Sequence, residues 1–139
     1  MPSFSVGSID KERVEVKLRP SRPKSHDEWL NGLVKINVGA FQGELEISLC
    51  LSDVVRFKEQ LEPLYEKLEG VAEFKTLEDQ LAIRIEVDRL GHVYASGYLL
   101  DRFERGNKLH FNIVYDQTLL WHTIAEIDEV LLELLPPKA

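Results

Sequence analysis

The chain has 139 residues, of which 44% are hydrophobic and 29% charged, and its net charge is −7. A chain of this size buries roughly 68% of its unfolded surface and needs no metal or disulfide to hold its core, so we expect one domain over residues 1–139. The acidic balance argues against nucleic acid as a partner, because phosphate binding requires clustered lysine and arginine, and it favours a basic protein partner.

The first part of the chain predicts three strands after a flexible N-terminus. Residues 14–18 alternate apolar and polar side chains, which is typical of a strand. Residues 19–28 contain two prolines and two serines and predict an exposed loop. Two further alternating strands, 33–38 and 44–49, flank a stretch with two glycines at 39–43, which predicts a hairpin.

A helix follows these strands, because apolar residues between 54 and 68 recur at a spacing of three and four. Ser52 or Asp53 can cap its start, and Gly70 stands where a glycine commonly ends a helix. Pro63 lies inside the pattern and disfavours a regular helix there. Because the apolar stripe continues past it, we expect one kinked helix rather than two.

The remaining chain predicts four strands and a second helix. The predicted strands are 72–76, 81–87, 92–100 and 109–115, with tight turns at 88–91 and 104–107. The apolar stripe from Leu120 to Leu134 then indicates a helix, with Asp116 placed to cap its start. The order β-β-β-α-β-β-β-β-α predicts an α+β fold. We expect one antiparallel sheet of about six to seven strands with the two helices packed on one face.

The residues carry no signature of an enzyme, a metal site or a cofactor site. None of the four histidines has a partner at zinc-ligand spacing, and no nucleophile elbow, phosphate-binding loop or dinucleotide fingerprint is present. Cys50 is the single cysteine, and its place at a strand end favours a small buried side chain over a nucleophile. We therefore predict no catalytic residue, no metal ligand and no cofactor.

The expected compartment follows from two kinds of apolar segment that the sequence does not show. The N-terminus has no apolar segment typical of a signal peptide, and no apolar run approaches the ~20 residues of a membrane span. We expect a cytoplasmic protein that does not interact with membranes. The sequence leaves the oligomeric state open.

One face of the predicted sheet carries an unusual set of side chains. If Val87 and Val93 flank the 88–91 turn on the core side, the other face carries tyrosines, an arginine, a histidine and an amide. This composition is more typical of an interface than of a solvated surface. The residues predicted to bind a partner there are Arg84, Glu86, Tyr94, Tyr98, His110 and Asn112. Alternatively, the tyrosines only stabilise an exposed sheet through cross-strand pairs.

The closing helix is acidic to its end. It holds Glu126, Asp128, Glu129 and Glu133 with no base, although a helix C-terminus disfavours anions. We include Glu126, Glu129 and Glu133 among the predicted partner-binding residues. The structural alternative is that the basic residues of segment 11–24 lie against this helix and offset its charge.

Several fixed-spacing segments together carry a family resemblance. They are Trp29, "VKINVGAFQGELE", the helix "DVVRFKEQLEPLYEKLEG", the turn "GHVYASG" and the segment "LHFNIVYDQTLL". Across residues 29–135 the chain resembles the WapI-type bacterial immunity proteins and related small bacterial proteins. Pro63 and the basic N-terminal arm depart from the shared pattern. The resemblance implies a cytoplasmic protein that binds and neutralises a cognate toxin, often a nuclease, and it supplies no catalytic residues.

Three hypotheses of different classes follow. The first is a binding protein, an immunity-type inhibitor of a basic toxin domain. The second is a small enzyme or small-molecule binder that uses the tyrosine-bearing face, which requires a concave pocket with convergent polar groups. The third is a structural or chaperone-like dimer that pairs through an apolar or edge-strand surface.

Overall fold

A computed structural model describes residues 2–8, 11–20, 29–76, 78–102 and 104–134. Within these ranges the chain forms eight strands and two helices. The strands are β1 (Ser3–Gly7), β2 (Arg13–Pro20), β3 (Trp29–Val38), β4 (Phe41–Cys50), β5 (Val71–Lys75), β6 (Leu81–Val87), β7 (His92–Leu100) and β8 (Lys108–Asp116); the helices are α1 (Leu51–Lys67) and α2 (Thr118–Leu134). Most of the predicted loop 19–28 lies outside the described residues, and its first two residues end β2.

The strands form two antiparallel sheets rather than the single sheet that the sequence predicted. Sheet A has the order β1-β2-β3-β4, and sheet B has the order β5-β6-β7-β8. The α+β class is confirmed, and each sheet is a meander of sequential strands. The prediction of one sheet was wrong because alternation reveals which side chains are buried, but not which strand pairs with which across the intervening helix α1.

Residues 3–7, which the sequence analysis left outside the sheet, form the edge strand β1. Phe4 and Val6 are fully buried, and the strand pairs antiparallel with β2, with Ser5 opposite Glu15. With only two apolar residues in five, the alternation is too short to distinguish this strand from an irregular terminus.

One hydrophobic core cluster draws on both sheets and both helices. At its centre the ring of Phe57 in α1 lies 6.2 Å from Phe4 of β1 and 5.3 Å from Phe74 of β5, and the latter two rings are 5.8 Å apart. Aromatic pairs at these separations add to the stability gained by burial. The three rings therefore join an edge of sheet A, α1 and an edge of sheet B.

The helices lie against sheet edges, which corrects the prediction that they cover one sheet face. The side chains of Glu126 and Thr123 in α2 bond to the backbone of Ser5 in β1, at 3.1 Å to its N–H and 2.6 Å to its carbonyl oxygen. In α1, the Gln60 side chain accepts the N–H of Glu73 in β5 at 2.7 Å. These bonds occupy backbone groups that an edge strand otherwise leaves unpaired.

Helix α1 is continuous through Pro63, so the expected single helix is observed. Pro63 is exposed. Neither predicted cap, Ser52 or Asp53, occupies the position before the helix, which is Cys50. Asp53 lies in the first turn, and its carboxylate accepts the N–H of Cys50 at 3.0 Å, which occupies a backbone donor at the helix start. The helix ends with Leu68 in the left-handed conformation, φ +54°, and Gly70 follows with φ +105°.

Candidate functional site

The outer face of sheet B carries the side chains that the sequence analysis grouped together. Alternate residues of its strands, such as Ile83, Ile85, Val93 and Ala95, point into the core. The residues between them point outward, and the strand register brings six predicted residues onto this one face: Arg84, Glu86, Tyr94, Tyr98, His110 and Asn112. We call it the sheet-B face.

A depression of about 340 Å³ lies in the sheet-B face. Arg84, Tyr98, His110 and Asn112 contribute to its lining. Gly97 lies at its floor, where an added Cβ atom would stand only 1.9 Å from the carbonyl oxygen of Ala82 on β6. The close approach of the two strands at this point therefore requires a glycine.

Arg84 is held between two carboxylates at one side of the depression. Its guanidinium group donates to Glu73 at 3.1 Å and to Glu86 at 2.8 Å and 3.0 Å. All three side chains are about half exposed, so these ion pairs orient the groups more than they stabilise the fold. The cluster carries one net negative charge and can both donate to and accept from a partner.

Tyr98 lies at the other side of the depression in a fixed polar environment. Its hydroxyl group donates to the carboxylate of Asp79, and this hydrogen bond raises the pKa of Tyr98 to about 12. The ammonium group of Lys108 lies 4.1 Å from the centre of the tyrosine ring, a favourable cation–π geometry. The His110 ring stands 5.9 Å away on the neighbouring strand. Tyr98 therefore presents an ordered, neutral ring.

A second row of this face holds three exposed apolar side chains. The register aligns Val71, Glu86, Tyr94 and Val114 across the four strands. Val114 is 58% exposed, Tyr94 43% and Val71 39%. Exposed apolar side chains that stand singly are ordinary, but neighbouring ones on one face are typical of a binding surface.

The turn between β6 and β7 is organised by Asp88. Its carboxylate accepts the backbone N–H groups of Leu90 at 2.9 Å and His92 at 3.0 Å, and the hydroxyl group of Tyr94 at 3.0 Å. The Nδ1 atom of His92 lies 3.0 Å from the same carboxylate. These bonds lower the pKa of Asp88 to about 2, and the bond from the His92 N–H has the largest effect. Asp88 thus fixes Tyr94 at the margin of the face.

This turn contacts the start of α2. The backbone N–H of Gln117 donates to the carbonyl oxygen of Gly91 at 2.9 Å, and a Cβ atom on Gly91 would approach the Gln117 side chain to 3.0 Å. Beside it, the Asp116 carboxylate accepts the N–H of Thr118 at 3.0 Å and its hydroxyl group at 2.7 Å. The bond from the Thr118 N–H lowers the pKa of Asp116. The "GHV" and "DQT" segments, distant in sequence, are therefore neighbours.

Comparison with known proteins identifies the family of this chain. The model of the immunity protein WapI-like family matches residues 6–135. The chain belongs to the WapI-like immunity protein family. The match extends towards the N-terminus beyond the expected limits of 29–135, and it includes the basic arm that the sequence analysis placed outside the shared region. No curated protein matches the chain.

Two acidic residues of α2 in this immunity-family chain contact neighbouring elements. Glu126 accepts the N–H and the hydroxyl group of Ser5, and Asp128 lies 2.7 Å from the ammonium group of Lys58 in α1. The hydrogen bond between Lys58 and Asp128 raises the pKa of Lys58. Among the described residues, α2 is therefore paired with a lysine of α1. No ion pair joins α2 to residues 11–20, the described part of segment 11–24.

The other two acids of α2 have different surroundings. Glu129 and Glu133 are exposed and make no ion pair with any described residue. Of the three glutamates predicted to bind a partner, Glu126 therefore contacts β1, whereas Glu129 and Glu133 lie on the exposed surface. None of them belongs to the sheet-B face.

Sequence reasoning missed several residues that complete the sheet-B face. Glu73 and Val114 were not selected, although the register places them beside Arg84 and Tyr94. Asp79 was missed because it lies in a turn with φ +59°, outside any alternating pattern.

Neither helix among the described residues is long and apolar enough to cross a membrane.

Proposed function

We propose that this chain is a non-enzymatic immunity protein that binds a cognate toxin domain in the cytoplasm and neutralises it. The proposal places the toxin on the sheet-B face. Family membership supports the immunity role. The observation that carries the choice of surface is the row with three exposed apolar side chains beside the depression lined by Arg84, Tyr98, His110 and Asn112.

The composition of this face fits a protein partner. Tyrosine and arginine are enriched among the residues that contribute most to protein–protein binding. Here Arg84 and Tyr98 are already held by Glu73, Glu86 and Asp79, so little side-chain entropy is lost when a partner binds them. The face therefore combines preformed polar groups with apolar area that a partner would cover.

Charge supports a basic toxin domain as the partner. The chain has a net charge of −7, and a cationic toxin such as a nuclease would be attracted to it over a distance set by the ionic strength. This attraction would mainly accelerate association. We therefore expect the association rate with the toxin to fall as salt is added, while the dissociation rate changes less.

Co-expression with the cognate toxin domain, sought among the genes that neighbour this one, tests the proposal. Wild-type chain should restore growth of cells that produce the toxin, and Tyr94→Ala combined with His110→Ala should not. Both positions are exposed, so the double variant should fold, which circular dichroism would establish. Full rescue by a folded double variant would contradict the proposed surface, and absence of rescue by the wild type would contradict the proposed function.

The depression also permits a second candidate function, the binding of a small molecule. Its volume of about 340 Å³ is at the low end of the range for ligand pockets. Equilibrium dialysis of the purified chain against a cell extract, followed by mass spectrometry, would detect an enriched metabolite. Enrichment that Asn112→Ala abolishes would favour this function over toxin neutralisation.

A further inference from the structure

The edge of β4 differs from the two edges that the helices close. Side chains of α1 and α2 bond to the backbones of β5 and β1. Over residues 41–49 of β4, no described side chain makes such a bond. Along the edge strand β8, too, none of the described side chains makes such a bond, but its inward residues Phe111, Ile113 and Tyr115 are buried. On β4 the inward Phe41 is 63% exposed.

The backbone groups of β4 that point away from β3 belong to alternate residues. Val38 and Phe41 flank the two-residue turn of the β3–β4 hairpin, so the odd-numbered residues of β4 bond to β3. The N–H and carbonyl groups of Gln42, Glu44 and Glu46 then point away from the sheet. The same alternation directs the N–H of Cys50 outward, where it donates a hydrogen bond to the Asp53 carboxylate.

Side chains along this edge separate into an acidic row and an apolar row. On the outer face of sheet A, Glu44 and Glu46 are exposed. Lys35 of β3 stands opposite Glu44, but neither glutamate makes an ion pair with a described residue, so both carboxylates can accept a cation from the open side of β4. On the inner side, Phe41 is exposed and Leu45 half-buried, and Gly43 lies between them. A strand added here would meet carboxylates on one face and uncovered apolar surface on the other.

A second copy of this chain does not complement the edge. If two β4 strands pair antiparallel about their Glu44 residues, Glu44 of one copy stands opposite Glu44 of the other, and each Glu46 stands opposite a Gln42. Like charges directly opposite one another destabilise a sheet. The carboxylates therefore select against self-association and for a cationic neighbour.

We infer that the β4 edge binds an extended segment of a partner protein in which basic and apolar residues alternate. The segment extends sheet A by one strand. Its backbone pairs with the free groups of residues 42, 44 and 46, its basic side chains lie beside Glu44 and Glu46, and its apolar side chains cover Phe41 and Leu45. This interaction adds a second surface to the molecule, and toxin binding at the sheet-B face does not depend on it.

Two synthetic peptides of about eight residues, the length of an ordinary strand, test the inference. One alternates lysine with valine and the other glutamate with valine. The lysine peptide should bind the full chain about tenfold more tightly than the glutamate peptide, and the double variant Glu44→Lys/Glu46→Lys should reverse this order. Hydrogen exchange by NMR should show protection of the amides of residues 42, 44 and 46 when the lysine peptide binds.

A backbone variant separates strand addition from simple charge attraction. Glu44→Pro removes an outward N–H group and leaves the bonds to β3 intact, so it should abolish binding. The matched control Glu44→Ala removes the same charge, keeps the N–H group and should only weaken binding. Equal binding by the two variants would overturn the inference. So would an unchanged peptide preference in the charge-reversed variant, failure of both peptides to bind, or protection of the β4 amides by protein concentration alone.

Discussion

Asp88 shows how one carboxylate can hold both a tight turn and a residue of the sheet-B face. Its pKa is lowered from 3.8 to about 2 by the hydrogen bonds it accepts, so the fold favours its ionised form. A lowered pKa in the folded state stabilises the protein above the unfolded pKa, and this contribution is lost as the pH falls through the folded pKa. The contribution of Asp88 is therefore complete above pH 3.8 and disappears near pH 2.

Replacing Asp88 by Asn should lower the melting temperature at pH 7, because the amide carries no charge and accepts fewer of these hydrogen bonds. The difference from wild type should shrink between about pH 4 and pH 2, and calorimetry over this range would measure it. Glu66→Gln, an exposed change on α1, serves as the control with no such loss. A difference that stays constant down to pH 2 would contradict the role assigned to the Asp88 charge.

Gly91 is the second residue on which this turn depends. Its φ of +86° is unfavourable for other residues, and an added Cβ would approach Gln117 to 3.0 Å. Gly91→Ala should therefore destabilise the fold by about 1–2 kcal/mol, measured by chemical denaturation. The additional change Gln117→Ala should recover the steric part of the loss but not the backbone part. Full recovery would show that backbone conformation contributes nothing here.

At the level of elements, closure of the β1 edge by α2 is the contact that the sequence did not reveal. Glu126→Ala removes the acceptor for the N–H and hydroxyl groups of Ser5 and should cost about 1–3 kcal/mol. Glu129→Ala on the same helix removes a carboxylate without a described partner and should change stability by less than about 0.5 kcal/mol.

Hydrogen exchange distinguishes this closure from a general effect on helix charge. The Ser5 amide should exchange faster in Glu126→Ala than in Glu129→Ala, because only the former loses the bond at β1. Equal exchange rates in the two variants would mean that Glu126 does not close the edge. Glu126 would then be as available to a partner as Glu129.

Individual elements were largely predictable because each has a local periodicity. Residues 81–87 alternate over a full strand, and residues 54–68 keep a helical stripe despite Pro63, so both elements were predicted. The break between the sheets was not predictable, because it depends on contacts such as that of Phe57 with Phe4 and Phe74, which are far apart in sequence. The sheet-B face followed from alternation alone, whereas Asp79 and the role of Glu126 depended on tertiary contacts.

At the level of the whole molecule, the three phenylalanines should make both sheets unfold together. Phe57→Ala should reduce stability by about 3–5 kcal/mol, and NMR signals from sheets A and B should disappear at the same denaturant concentration. Phe41→Ala, an exposed aromatic residue, is the matched control and should have little effect. Separate transitions for the two sheets would contradict the expectation of one domain.

The proposed function depends on toxin binding at the sheet-B face. Two exposed asparagines on the outer faces of different sheets, Asn112 in β8 and Asn37 in β3, offer a matched comparison. Adding Tyr94→Ala to Asn112→Ala extends the change across the face, while Asn37→Ala leaves that face intact.

Calorimetric titration of these variants with the cognate toxin domain measures whether the toxin occupies this face. Tyr94→Ala/Asn112→Ala should raise the Kd at least about tenfold, as expected for loss of an aromatic contact within an interface, and Asn37→Ala should match the wild type. Unchanged affinity in the double variant, with the toxin still bound, would show that the toxin binds elsewhere.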